Sequence, residues 1–135
     1  MTEKTVMDAL VQMKRTGNLL NEMEDLTRQI GQSIDRNDQV SLQMLIAMRE
    51  EPLGSLQAAD QAIRDQLELL PDKLEAAQLA SLLNGGPPAD PDARTQQLLC
   101  DQVASNNRRL KQIMELDRQL SQRLGREDHG NRQGK

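Results

Sequence analysis

The stretch TEKTVMDALVQMKRTGNLLNEMEDLTRQIGQSID, residues 2–35, decides the fold class. Its apolar residues Val6, Leu10, Met13, Leu20, Met23, Leu26, Ile30 and Ile34 recur at steps of three or four wherever the pattern is continuous. That spacing lays one stripe along an α-helix, whereas a strand needs alternation. Gly17 fills the one gap, where the stripe calls for a large side chain, and costs about 1 kcal/mol relative to Ala in a helix interior. The phase on either side still reads as one helix. After it, Asp35-Arg36-Asn37-Asp38 is a short polar cluster in which Asn37 or Asp38 can accept bonds from the first amides of a following helix. A tight helix–helix turn is expected there.

Outward from this segment the same spacing resumes at Leu42, Leu45, Ile46, Leu53, Leu56, Ala59, Ile63, Leu67 and Leu70. Pro52 interrupts it; a proline inside a helix removes one backbone bond and costs roughly 3 kcal/mol or produces a kink. Because the apolar phase carries through from Ile46 to Leu53, a kink softened by Gly54 is expected. Pro71 suits the first turn of a short further helix reaching Leu83, with Leu74, Leu79, Leu82 and Leu83 as its apolar positions. NGGPPADPD, residues 84–92, holds too many glycines and prolines for helix or strand and reads as a loop. A last helix runs from Pro91 or Asp92 to Leu124, with Leu99, Val103, Leu110, Ile113, Leu116, Leu120 and Leu124 on its stripe. Gly125 can close it in a left-handed cap. Residues 126–135 contain no large apolar side chain and are expected to form a disordered tail.

Helices of 30 residues span about 45–50 Å at 1.5 Å per residue, more than a compact sphere of this chain length allows. The predicted architecture is therefore all-α: an elongated antiparallel helical bundle or coiled coil of three long helices, the middle one kinked. Residues 1–125 make one domain and 126–135 the tail. Composition agrees, since none of the 135 residues is Phe, Tyr or Trp, and a core of Leu, Ile, Val, Met and Ala suits helices better than sheets.

A net charge of −4 and the absence of stacking rings argue against nucleic acid as a partner. No apolar stretch approaches the roughly 18 residues that span a bilayer. The start MTEKTVMDAL lacks a basic region followed by an apolar block. No membrane insertion and a cytoplasmic location are expected. Charge is uneven along the chain: residues 1–37 carry five basic and six acidic groups, 38–91 three and nine, 92–135 nine and six. An acidic middle and a basic end either pair as neighbours in the bundle or leave a basic face for an acidic partner.

Groups that could do chemistry are few. His129 lies beside Asp128 with no second ligand for a metal, and Cys100, the single cysteine, has no partner for an intramolecular disulfide. Free cysteines usually serve as small core hydrophobes, although a thiol near a helix N-terminus can be activated. The acidic pairs Glu50-Glu51 and Asp65/Glu68 come without the Glu-x-x-His pattern of di-metal bundles. No cofactor, metal or enzymatic activity is expected, for want of a convergent polar set. Met7, Met13, Met23, Met44, Met48 and Met114 either fill the core or form an adaptable groove for a partner helix. Asn106 falls on the apolar stripe, where it either fixes register or bonds a partner chain.

The segments SLQMLIAMREEPLGSLQAAD, residues 41–60, and LLCDQVASNNRRLKQIMELDRQL, residues 98–120, are similar to patterns of the flagellar type III export chaperones of the FlgN and FliT group. The first resembles the family's leucine pair, Arg and second leucine pair; the second resembles its closing helix with an Asn-containing turn. The resemblance implies a cofactor-free chaperone that shields the amphipathic terminal helix of a hook-associated or filament-cap protein before export. It points to Asn106, Asn107, Leu110, Ile113, Met114 and Leu120 as partner-binding residues. The last helix, following the most flexible loop, is expected to be the least firmly docked. The other reading is a structural or adaptor coiled coil that dimerises, and a homodimer is expected at tens of micromolar because long, partly covered apolar seams self-associate.

Overall fold

The computed structural model describes residues 1–133, with side chains up to Gly125. It is all-helical, with no strand among the described residues. Four helices follow in order: α1 (Glu3–Asp35), α2 (Gln39–Leu69), α3 (Lys73–Leu83) and α4 (Arg94–Gln133). Three of them are long, and α3, at 11 residues, is short. At about 1.5 Å per residue α1 alone extends about 50 Å.

The helix ends follow from local chemistry. Thr2 caps α1 by accepting the Thr5 amide at 3.2 Å. Asn37 takes a left-handed conformation at φ 58°. This lets the Asp38 amide reach the Ser33 carbonyl at 2.9 Å and the Asn37 amide reach Ile34 at 3.1 Å, the double bond that terminates many helices. Asp38 then caps α2, accepting from the Ser41 amide at 3.1 Å and the Ser41 hydroxyl at 2.6 Å. One four-residue cluster thus ends one helix and starts the next. Gly85, at φ 92°, closes α3 in the same way, with the Gly86 amide on the Ser81 carbonyl at 2.8 Å.

The hydrogen bonds from Ser41 hold the Asp38 carboxyl below its ordinary pKa, with Arg36 adding to the effect. A lowered folded value means that this cap contributes fully above the ordinary carboxylate range and is lost as pH falls through the lowered value. Asp38→Ala is accordingly expected to lower the melting temperature at neutral pH, and the gap to the parent protein should close in strong acid. Thermal melts followed by circular dichroism over a pH series check this; a gap unchanged in acid would mean that the carboxylate is not the source.

Packing fixes the topology. Ile30 and Ile34 meet Leu42 and Leu45, so α2 returns antiparallel along α1. Val6 and Leu10 meet Leu99 and Val103, and Leu20 and Met23 meet Ile113, so α4 runs parallel to α1. α1 is the shared spine, and α2 and α4 both dock on it with little direct backbone approach to each other. Three apolar clusters succeed one another along it. The buried hydroxyls of Thr27 and Ser33 are satisfied within α1 by the carbonyls of Met23, at 2.6 Å, and Gln29, at 3.1 Å.

α2 runs through Pro52 as one helix, as the unbroken apolar phase predicts, and the proline ring is fully buried. Other expectations change in detail. α4 begins at Arg94 and does not stop at Gly125: its backbone stays helical to Gln133. Glycine permits a helix end without requiring one, and ends a helix only where following residues supply capping bonds. Residues 126–133, expected as a tail, therefore belong to the backbone of α4, while Gly134 and Lys135 lie outside the described residues. His129 has no described side chain. α4 is also docked as extensively on α1 as α2 is, so the last helix is not the loosely held one.

Candidate functional site

The six residues singled out on the last helix divide into two groups. Asn106, Ile113 and Leu120 are buried. Asn106 donates from Nδ2 to the Met13 carbonyl at 2.9 Å and accepts at Oδ1 from Gln102 Nε2, also at 2.9 Å. Its amide thus ties α4 to α1, the contact that the register reading describes. Ile113, 4 % exposed, packs on Leu20 and Met23, and Leu120, 8 % exposed, completes the cluster of Leu26, Ile30, Ile34, Leu42 and Leu45. These side chains are part of the bundle's own packing. Leu110, 44 % exposed, and Met114, 63 % exposed, together with Asn107, remain at the surface.

The accessible pair belongs to a strip that α2 completes. Arg49 of α2 donates both terminal guanidinium nitrogens to the Asp117 carboxylate of α4, at 3.1 and 3.0 Å, and so clasps the two helices. Ile46 and Leu53 lie three before and four after Arg49, on its side of α2; Met114 and Leu110 lie three and seven before Asp117, on its side of α4. All four are exposed large apolar residues. Because α2 and α4 run in opposite directions, Leu53 falls at the height of Met114, with the half-buried Leu56 packed on the Ile113 cluster beneath.

The chain itself uses part of this face. α3 lies against both α2 and α4. Its Leu79 and Leu82, almost completely buried, meet Leu99 and Val103 of α4, Val6, Ala9 and Leu10 of α1, and the half-buried Leu67 and Leu70 at the end of α2. α3 stops at Leu83, and Gly85 just beyond it sits near Asn107. From that level to the Arg49–Asp117 clasp the face lies open. α3 is thus an apolar helix packed against both α2 and α4, and beyond its end Leu53, Leu110 and Met114 of those two helices are exposed. In the sequence the decisive signal was Arg49, an interruption in the stripe of α2 whose partner on α4 no spacing rule supplies.

Charge is distributed otherwise than segment totals suggest. The basic residues of α4 pair chiefly with α1: Arg109 with Glu24 at 3.6 Å, and Arg123 with Asp35 and the Gly31 carbonyl. Between α2 and α4 the pairing is reversed in sign, with α2 supplying the cation. Glu50 and Lys111, at the outer edges of the strip, have no ion partner among the described residues.

A second concavity, of about 290 Å³, lies between α1 and α4, lined by Lys14, Gly17, Asn18, Asn21, Gln102, Ser105, Asn106 and Arg109. Of its amides, Gln102 donates to Asn106, which donates in turn to the Met13 carbonyl. Among the described residues no group of three or more His, Cys, Asp or Glu is placed to hold a metal. Cys100 is half-buried, its thiol pointing at the Gly86 carbonyl, and burial, with Asp101 adding to it, pushes its pKa up, which disfavours the reactive thiolate. No helix of the described residues is long and apolar enough to cross a membrane. Comparison with protein-family models, with curated proteins and with solved structures finds no match.

Proposed function

We propose that this protein is a non-enzymatic, cofactor-free helical binding protein whose α2/α4 face receives an amphipathic helix of a partner. The observation that carries the reading is the half-filled seat: α3 occupies one end of the face through Leu79 and Leu82, while Leu53, Leu110 and Met114 stand exposed at the other. A helix with apolar residues at three- and four-residue steps fits such a seat in the helix-in-groove mode. Met114 supplies the polarisable, adaptable surface suited to varied partners. The resemblance to flagellar type III export chaperones gives the partner class: the terminal helix of a hook-associated or filament-cap protein, shielded in the cytoplasm before export. Leu110, Met114 and Asn107 from the resemblance, joined by Leu53 and Ile46, form the proposed contact set.

Synthetic peptides covering the terminal helices of such proteins, encoded in the same genome, should bind with an exothermic or heat-capacity signature measurable by calorimetry. Leu110→Ser with Met114→Glu should weaken that binding by about tenfold or more, since exposed hot-spot truncations of this kind cost above 1 kcal/mol. Peptides that bind the variant as well as the parent would move the site off this face. A second reading, an adaptor coiled coil that dimerises without chaperone activity, draws on the same exposed strip.

A further inference from the structure

We infer that Asn84 is a modification site: its side chain deamidates through the Gly85 nitrogen at a rate set by how often the end of α3 opens, and the product then weakens the hold on α3. Asn84-Gly85 is the only Asn-Gly pair in the chain, and both residues are exposed. Glycine carries no side chain to shield its nitrogen from the amide carbon of the preceding residue. The chemistry needs only water. The Gly85 nitrogen bonds to Cγ of Asn84, the Cγ–Nδ2 bond breaks, and ammonia leaves with the proton that the nitrogen gave up. Water then opens the cyclic imide at either carbonyl. Opening at the side-chain carbonyl leaves aspartate; opening at the main-chain carbonyl leaves isoaspartate, in which the chain continues through the side-chain carbon.

The folded cap holds this reaction back. At ψ 10° the Gly85 nitrogen nearly eclipses the nitrogen of Asn84 itself and is turned away from the side chain. The Gly85 amide donates to the Leu82 carbonyl at 3.1 Å, and the Gly86 amide to the Ser81 carbonyl at 2.8 Å. Closing the ring rotates the peptide between Asn84 and Gly85, which breaks both bonds and unwinds the end of α3. The element that must move is lightly held. Its 11 residues fall short of the length, about 12–15, below which an isolated helix is marginal. Pro71 and the prolines of the 84–92 loop bound it, and its two buried side chains are Leu79 and Leu82.

The product cannot rebuild the same cap. Aspartate puts a negative charge at the C-terminal end of a helix whose last turn contains no basic residue. Isoaspartate lengthens the main chain between α3 and Gly85, so the amides of Gly85 and Gly86 lose register with Leu82 and Ser81. The turn has no slack, since even a Cβ on Gly86 would stand 2.8 Å from the Ser81 carbonyl oxygen. A modified chain therefore releases α3 more often and uncovers Leu99 and Val103. Nothing in this depends on a partner helix.

Incubating the purified chain beside a synthetic peptide of residues 74–94 tests this. Trypsin releases the same 74–94 segment from the protein, with Asn84 as its single asparagine. Mass spectrometry of that fragment reads the conversion, and isoaspartate-specific methylation reads the β-linked product. The parent protein should convert about tenfold or more slowly than the peptide, because only the opened fraction reacts. Leu82→Ala removes an anchor of α3 and should raise the rate about tenfold toward that of the peptide. Gly86→Ala forces the turn open without touching the core and should act in the same direction. Leu120→Ala, at the other end of the bundle, should leave the rate at the parental value. Asn84→Asp should speed hydrogen exchange of the α3 amides by about two- to fivefold, the effect of one unfavourable charge at a helix end. A parent that converts as fast as the peptide overturns gating by α3. Equal acceleration by Leu82→Ala and Leu120→Ala does the same, since the opening would then be global. An intact Asn84 in both Leu82→Ala and Gly86→Ala after the peptide has converted overturns the site itself, and unchanged exchange in Asn84→Asp overturns the effect of the product.

Discussion

Serine at both Ile113 and Leu120 is expected to unfold the protein. Each side chain is buried in a different cluster, Ile113 against Leu20, Met23 and Leu56, and Leu120 against Leu26, Ile30, Ile34, Leu42 and Leu45. Truncating a buried Leu or Ile costs about 2–5 kcal/mol, and a hydroxyl left without a partner adds to it. The two sites share no neighbour, so their costs add. Together they reach about 6–8 kcal/mol, comparable with the whole stability of about 5–15 kcal/mol typical of such a domain. Loss of far-UV ellipticity at room temperature and collapse of the urea midpoint are the expected readings. The exposed pair Leu110→Ser and Met114→Ser should change the midpoint little, because surface positions usually matter by about 0.5 kcal/mol. A double serine variant at 113 and 120 that stays folded with a parental midpoint would show that α4 is not part of the core.

A second large effect is expected at Gly17. A Cβ there would lie 2.7 Å from Gln102 Nε2 and 2.9 Å from Asn106 Oδ1, in the middle of the α1–α4 contact. Leucine at this position must displace both amides, breaking the bond between them and the one from Asn106 to the Met13 carbonyl. Overpacking of this kind costs about 1–3 kcal/mol, and the broken buried hydrogen bonds add about 1–3 kcal/mol more. Gly17→Leu should therefore lower the urea midpoint steeply. Alanine meets the same two amides with one methyl but gains about 1 kcal/mol of helix propensity, so its effect should be much smaller. Equal midpoints for the leucine variant and the parent would mean that α1 and α4 are not in close contact here.

Gly17 and Asn106 also show where sequence reading stops. Each looked like a separate fault in an apolar stripe, one a missing side chain and one a polar intruder. Folded, they are two halves of one contact, because the gap in α1 receives the amide of α4. No spacing along a single helix can reveal that the two lie at the same height. The helices themselves were legible, since three- and four-residue periodicity and the capping group Asp38 are local signals, although α3 starts only at Lys73 behind an Asp72 cap and leaves Pro71, expected in its first turn, outside. The stripe of α4 was read as one surface, yet the bundle buries the side bearing Leu99, Val103, Ile113 and Leu120 and leaves Leu110 out, beside the exposed Met114. A stripe wider than its contact always leaves such a margin, and which margin depends on where α2 and α3 lie. The role of α3 was equally hidden: eleven residues look like a spacer until Leu79 and Leu82 are seen filling the seat between two other helices. Gly125 misled for the opposite reason, because glycine permits a left-handed cap without requiring one.

The unequal lengths of the two connections have a consequence for how the chain is made. α1 and α2 are joined by three residues and form an antiparallel pair with short sequence separation, so they can associate as soon as both have left the ribosome. α4 lies parallel to α1 and begins 24 residues after α2 ends, across α3 and the 84–92 loop. At synthesis rates of about 5–20 residues per second, the roughly 50 residues from Pro71 to Leu120 impose a delay of about 3–10 seconds after the hairpin is complete. Throughout that interval Leu20, Met23, Leu26 and Ile30 of α1 lack the side chains of α4 that later cover them. The nascent hairpin is thus an apolar, half-finished surface for seconds at a time, and a truncation after Leu70 would make that state permanent. The vulnerable species of this protein is its own N-terminal half during translation, and codons or folding helpers that shorten the wait for α4 would act on yield without altering the finished bundle.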